Sequence, residues 1–199
     1  MIKIGITGGI ASGKTTASNY CKKYNAYIFN ADKESKTHLK RSLSLQKKII
    51  NIFGQKIAPN NKIDLKILAQ EAFKNKTNIE ILNGIMWPEV FLLINKEYDR
   101  IKANNNYKLF IVDAALIFEA NYKNFFDKTI LITASKNKRI KRAIKRTNTS
   151  LENIQNRISL QMPEKEKAIL ADYIINNNYS NNNLYKKVDL IISNIISIK

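Results

Sequence analysis

The run Gly8-Gly9-Ile10-Ala11-Ser12-Gly13-Lys14-Thr15 matches the pattern G-x-x-x-x-G-K-[ST] without a mismatch. Such spacing suits a polyphosphate. Glycines let the backbone turn tightly and aim successive N–H groups at phosphate oxygens. A helix opening at Lys14 adds the partial positive charge of its N-terminus. Gly9, Ala11, Ser12, Gly13 and Thr16 then belong to the cradle, Lys14 reaches the β- and γ-phosphates, and the Thr15 hydroxyl ligates Mg²⁺. A nucleoside triphosphate is the expected ligand.

Two carboxylates and a group of arginines could act on it. Asp32 follows the short apolar run Tyr27-Ile28-Phe29 and falls at the carboxyl end of the strand which that run predicts. Open parallel sheets bind their ligands at that end. A carboxylate there can accept a hydrogen bond from an acceptor hydroxyl, orient it for in-line attack, and face the metal. Capping the helix that starts at Lys33 is its alternative role, and the two are compatible. Asp113 ends Leu109-Phe110-Ile111-Val112 and resembles a Walker B carboxylate acting on Mg²⁺ through water. Ala114 follows it, where ATPases commonly place a catalytic Glu. Arg139, Arg142 and Arg146 lie at i, i+3 and i+7 and so share a helix face, with Ile140 and Ile144 on another face expected to pack down. That helix reads as a cationic lid that closes on phosphates and excludes water. A basic face for nucleic acid is the alternative reading of Lys136 to Arg146.

These residues need a scaffold. Ile2 to Thr7 reads as a first buried strand, 14–24 as a helix, and Tyr27 to Phe29 as a second strand. From about 33 to 105 the pattern is helical, broken at 54–61 and at Trp87-Pro88. Leu109 to Val112 and Thr129 to Thr133 are further strands, and Lys136 to Lys145 and Leu151 to Leu160 are helices, the latter limited by Pro163. Tyr173 to Ile175 is the last strand, and Val188 to Ile198 a closing amphipathic helix. Alternating strands and helices predict an α/β fold with a central parallel sheet, a P-loop NTPase architecture. Its core covers about 1–32, 107–135 and 171–199, with a helical substrate-binding insertion at about 33–106 and a helical lid at about 136–165.

Composition bounds the rest. The 199 residues suit one domain with insertions, and a 44% hydrophobic share excludes disorder. Lone Cys21 and lone His38 exclude an internal disulfide and a His- or Cys-rich metal site. No apolar stretch is long enough to span a membrane, and no signal peptide is evident, so a cytoplasmic protein is expected. Monomer and small homo-oligomer both remain open. The net charge is +18, which ordinarily suggests a polyanionic partner. Yet Lys, Asn and Ile make up 86 of the residues, and all three have A/T-rich codons. The six arginines carry more information, because four of them (Arg139, Arg142, Arg146 and Arg157) fall within 19 residues. Arginine's planar fork makes bidentate phosphate contacts that lysine cannot.

Among P-loop proteins, a GTPase is disfavoured. Asn61-Lys62-Ile63-Asp64 spells N-K-x-D but follows no buried strand, and no D-x-x-G occurs. Motors and helicases usually need a longer chain. A small-molecule kinase fits the size, with a nucleic-acid-binding NTPase and a catalytically decayed binding protein as the alternatives.

An ordered set of motifs then carries a resemblance. It runs from Ile6-Thr7-Gly8-Gly9-Ile10-Ala11-Ser12-Gly13-Lys14-Thr15-Thr16 through Asn30-Ala31-Asp32, Phe53-Gly54 and Val112-Asp113-Ala114-Ala115-Leu116-Ile117-Phe118-Glu119. Arg142-x-x-x-Arg146, Arg157-Ile158 with Gln161, and Ala171-Asp172-Tyr173-Ile174-Ile175-Asn176-Asn177-Asn178 complete it. Over essentially its full length the chain resembles dephospho-CoA kinases. The resemblance implies transfer of the ATP γ-phosphate to the 3′-hydroxyl of dephospho-CoA, the last step of coenzyme A synthesis. It implies Asp32 as the catalytic carboxylate, Arg142 as a lid arginine, and Asn177 and Asn178 near the adenine. A kinase for another nucleoside or small metabolite remains the alternative. Departures from the family pattern are Asn30 for the first acid of D-A-D, Trp87 for the His of an H-P pair, Ala115 for Pro, Asn176 for Asp and Tyr179 for Gly. Leu65 falls where Arg is frequent.

Overall fold

The computed structural model describes residues 1–147 and 150–197. Residues 148 and 149 of the expected lid, and Ile198 at the expected end of the last helix, lie outside the described residues. The elements begin with β1 (Ile2–Thr7), α1 (Lys14–Tyr20) and β2 (Ala26–Asn30), a 3₁₀ turn at Cys21–Tyr24 lying between the last two. Then come α2 (Ala31–Arg41), α3 (Leu43–Phe53), α4 (Leu65–Ala72) and α5 (Lys76–Asn104). The chain continues through β3 (Leu109–Asp113), β4 (Lys128–Thr133), α6 (Lys136–Thr147), α7 (Leu151–Ser159), α8 (Glu164–Leu170), β5 (Tyr173–Asn176) and α9 (Asn181–Ser197). Two compact units result: Met1–Asn30 with Lys96–Lys199, and Ala31–Asn95.

The first unit is built on a parallel sheet of order β2-β3-β1-β4-β5. Such sheets bury both faces, which is why these strands are near-continuous apolar runs. Ile4, Ile6, Leu109, Ile111, Ile130 and Ile132 pack against Ala17 of α1 and Leu184, Val188 and Ile192 of α9. On β1, Gly5 is required by space: a Cβ there would lie 2.9 Å from Ile117 Cδ1 and 3.0 Å from Phe126. Asp189 anchors α9 by accepting hydrogen bonds from the Tyr20 hydroxyl at 3.0 Å and the Tyr24 hydroxyl at 2.6 Å, beside Lys23 Nζ at 2.8 Å. Cys21 is fully buried, and burial, reinforced by the Asp189 charge, pushes its thiol up to about 12. It is an inert core residue.

The second unit has its own core of Leu39, Leu45, Ile49, Phe53, Ile57, Leu68 and Ile85. Its helices start where the sequence supplies caps. Ser42 Oγ accepts from Leu45 N, and Asp64 Oδ1 accepts from Lys66 N and Ile67 N. Buried Gln46 donates to Lys40 O and accepts from Ile63 N, so it ties α3 to the segments on either side.

Three expectations need correction. The helical pattern does not break at Trp87-Pro88, because α5 runs through Pro88. Proline leaves the carbonyl four residues back, that of Gly84, without its N–H partner, and the helix continues through it. On α6, Ile144 is 42% exposed, whereas Arg139 is 6% exposed and Ala143 fully buried. Arg139 thus turns inward and Ile144 faces water, while Ile140 is half-buried. Finally, Asp32 is neither the end of β2 nor a cap. The strand stops at Asn30, and Asp32 lies in the first turn of α2.

Candidate functional site

The cradle joins β1 to α1. Gly13 has φ 103, a left-handed backbone that favours glycine, and a Cβ there would lie 2.2 Å from Asn177 Nδ2. Ala11 holds φ 56, which costs an L-residue about 1 kcal/mol or more. Strain of this kind persists where the surroundings over-determine the turn. Ala11, Ser12, Gly13, Lys14, Thr15 and Thr16 line a cavity of about 40 Å³ together with Arg146. Seven of the expected nucleotide residues therefore meet in one place.

Below the cavity, Asp113 is 1% exposed at the end of β3. Its Oδ2 accepts from Thr15 Oγ1 at 2.7 Å and from Asn30 Nδ2 at 2.8 Å. Parallel pairing puts Asn30 opposite Asp113 in the register of β2 and β3. Asn30, readable in the sequence only as a lost acid, orients the buried carboxylate instead. A hydroxyl beside a carboxylate is an all-oxygen donor set, which fits a hard cation that takes its other ligands from phosphate and water.

The remaining expected residues stand behind the loop. Asn177 is 4% exposed and donates from Nδ2 to Ser12 O at 2.8 Å, while its own carbonyl accepts from Arg142 Nη2 at 3.0 Å. Ser12 Oγ, Asn177 Oδ1 and Arg142 Nη1 are buried without a hydrogen-bond partner among the described residues. Three orphaned polar atoms around one turn mark a place where a polar ligand can complete the bonding. Asn178 Oδ1 accepts from Ser135 N at 2.8 Å, and its carbonyl accepts from Lys138. Asp32 belongs to the second unit, two residues along the chain from Asn30.

Sequence reasoning missed Lys167 and Glu164. Lys167 lies on α8, is 1% exposed, pairs with Glu119 Oε1 at 2.7 Å and donates to Ala115 O at 3.0 Å. The same Glu119 oxygen accepts from Met162 N at 3.1 Å, and Thr7 Oγ1 shares the Ala115 carbonyl at 3.1 Å. Local sequence gave no sign of this, because one lysine among many looks solvated until packing buries it. Lys167→Met is expected to cost about 3 kcal/mol, since it strands the Glu119 charge. A lower urea midpoint with an unchanged slope checks this.

The chain is similar to known proteins along almost its whole length. A family model described as dephospho-CoA kinase matches residues 2–183. A dephospho-CoA kinase of Chlamydia felis is 35% identical over 189 residues, covering 95% of this chain and 94% of that protein. A solved dephospho-CoA kinase from Campylobacter jejuni has a TM-score of 0.67 at 29% identity, covering 97% of this chain and 96% of the other. A solved protein from Thermus thermophilus shares the fold, with a TM-score of 0.80 at 24% identity and 97% coverage of both chains.

Proposed function

Because the chain belongs to the dephospho-CoA kinase family, we propose that it transfers the γ-phosphate of ATP to the 3′-hydroxyl of dephospho-CoA through the residues placed above. The observation that carries the assignment of residues is the chain Thr15–Asp113–Asn30 beneath a cavity lined by the cradle and Arg146. Backbone N–H groups from Gly9 to Thr16 hold the phosphates, and Lys14 places its charge on the transferring group. Thr15 and Asp113 would hold Mg²⁺, whose charge would offset that of the phosphates. Arg142 offers its second guanidinium nitrogen to the nucleotide, and Arg146 offers its fork from the cavity wall. Asn177 and Asn178 shape the adenine end of the site. Asp32 accepts the hydrogen bond of the acceptor hydroxyl and sets its direction of attack, and the unit Ala31–Asn95 takes the acceptor.

No helix among the described residues is long and apolar enough to cross a membrane. The reading goes with a cytoplasmic setting.

The test is Mg·ATP turnover with dephospho-CoA, with coenzyme A detected directly and adenosine and uridine as parallel acceptors. Coenzyme A formed from the first acceptor alone is the expected result. Phosphorylation of another acceptor without coenzyme A would overturn the substrate assignment. ATP hydrolysis with no acceptor product would overturn the kinase assignment.

A further inference from the structure

Gly9 is a glycine for an unusual reason. Its backbone is not among those with positive φ, so conformation does not demand it. The Arg139 side chain is what occupies the space: a Cβ on Gly9 would lie 2.0 Å from Arg139 Nη1, so the guanidinium would have to shift. The guanidinium rests directly on the first turn of the phosphate cradle. It is 6% exposed and faces Glu164 Oε1 from Nε at 3.4 Å, an ion pair without hydrogen-bond geometry. Burial raises the Glu164 carboxyl above its usual range, against the pull of Arg139 and Lys167. The next residue of the loop is gripped as well, since Ile10 N donates to Gln161 Oε1 at 3.3 Å. Arg139 is the fourth residue of α6, Glu164 opens α8, and Gln161 lies three residues before Glu164.

The three arginines of α6 thus do different things. Arg146 lines the cavity, and Arg142 holds the Asn177 carbonyl. Arg139 touches the loop, does not line the cavity, and has almost no surface of its own.

We propose that Arg139 is a positioning residue for nucleotide binding: braced by Glu164, it presses on Gly9 and keeps the first turn of the cradle in its phosphate-binding shape. This rests on the ATP-dependent reading above, though not on the identity of the acceptor. A cradle made of backbone N–H groups binds only if those groups converge before the ligand arrives, so the loss of a brace weakens affinity. Chemistry on a nucleotide already bound is affected less, because Arg139 does not touch the reacting atoms.

The experiment is a double-mutant cycle on Gly9 and Arg139, read as the Kd of a non-hydrolysable ATP analogue and as separate kcat and KM values. Thermal unfolding is run on each variant. Arg139→Ala is expected to raise Kd and the KM for ATP about tenfold, with kcat and the acceptor KM within about twofold. Gly9→Ala is expected to raise Kd by a similar or larger factor, because its methyl group collides with the guanidinium. In the double variant the two losses should not multiply, since Arg139→Ala removes the collision. Arg139→Lys should relieve Gly9→Ala in the same way, which keeps the test intact if Arg139→Ala does not fold. Glu164→Gln should weaken nucleotide binding in the same direction. Multiplicative losses, an unchanged Kd in Arg139→Ala, or a large fall in kcat at unchanged KM would each overturn the proposal. A wild-type chain that binds the analogue but makes no coenzyme A would overturn the acceptor assignment and leave this proposal standing.

Discussion

Lys14→Ala is expected to lower kcat/KM for ATP by about 10³-fold or more, with the fold intact. The transferring phosphoryl group passes through a loose transition state whose charge lies on its outer oxygens, so the protein contributes position and positive charge. Lys14 is the first residue of α1, preceded by Gly13 at φ 103. The left-handed turn at Gly13 brings Lys14 to the wall of the cavity, where Arg146 is the other cation. Thr15 and Arg146 remain in the variant, which is why some catalysis should survive. Lys14→Arg should recover only part of the loss, because a planar fork does not replace a compact ammonium. Steady-state kinetics with both variants, alongside circular dichroism to confirm the helix content, decide the matter. A loss below about tenfold for Lys14→Ala would remove it from the catalytic group.

The cradle was legible because its chemistry is local. Eight consecutive residues supply the turn, the N–H groups, the ammonium and the hydroxyl, so the sequence order is the spatial order. The parallel sheet was legible for a similar reason: strands buried on both faces must read as apolar runs. What packing alone decides was not legible. The face of α6 could be divided into arginines and isoleucines, but nothing local says that Arg139 turns inward while Arg146 and Ile144 stay exposed. That outcome depends on Glu164 lying 25 residues beyond Arg139, and on a glycine at position 9 that leaves room. Asn30 is a second case. Its role appears only when strand register sets it opposite Asp113. Pro88 misled because a proline disfavours a helix interior locally, whereas α5 continues on both sides of it for 29 residues in all.

Asp32→Asn should lower kcat by about 10²- to 10⁴-fold, the usual worth of a positioned acid or base, while the Kd for ATP changes by less than about threefold. The variant keeps size and one acceptor oxygen, so it tests charge and proton acceptance in place of bulk. Nucleotide affinity should hold because every group assigned to the phosphates lies elsewhere: on the cradle, at Asp113 and on α6. Asp32 follows the cradle-side residue Asn30 by two positions and opens an exposed face of α2. Asn30 keeps its bond to Asp113 in the variant, so the Thr15–Asp113 pair should hold its geometry. The separation of effects is therefore the sharp part of the prediction. Slow hydrolysis of ATP without acceptor should continue at the wild-type rate, since water needs no carboxylate placed for a ribose hydroxyl. Single-turnover phosphoryl transfer to dephospho-CoA should fall by the full factor. Equal losses in both reactions would instead place Asp32 on the nucleotide or its metal, and leave the acceptor hydroxyl to another group.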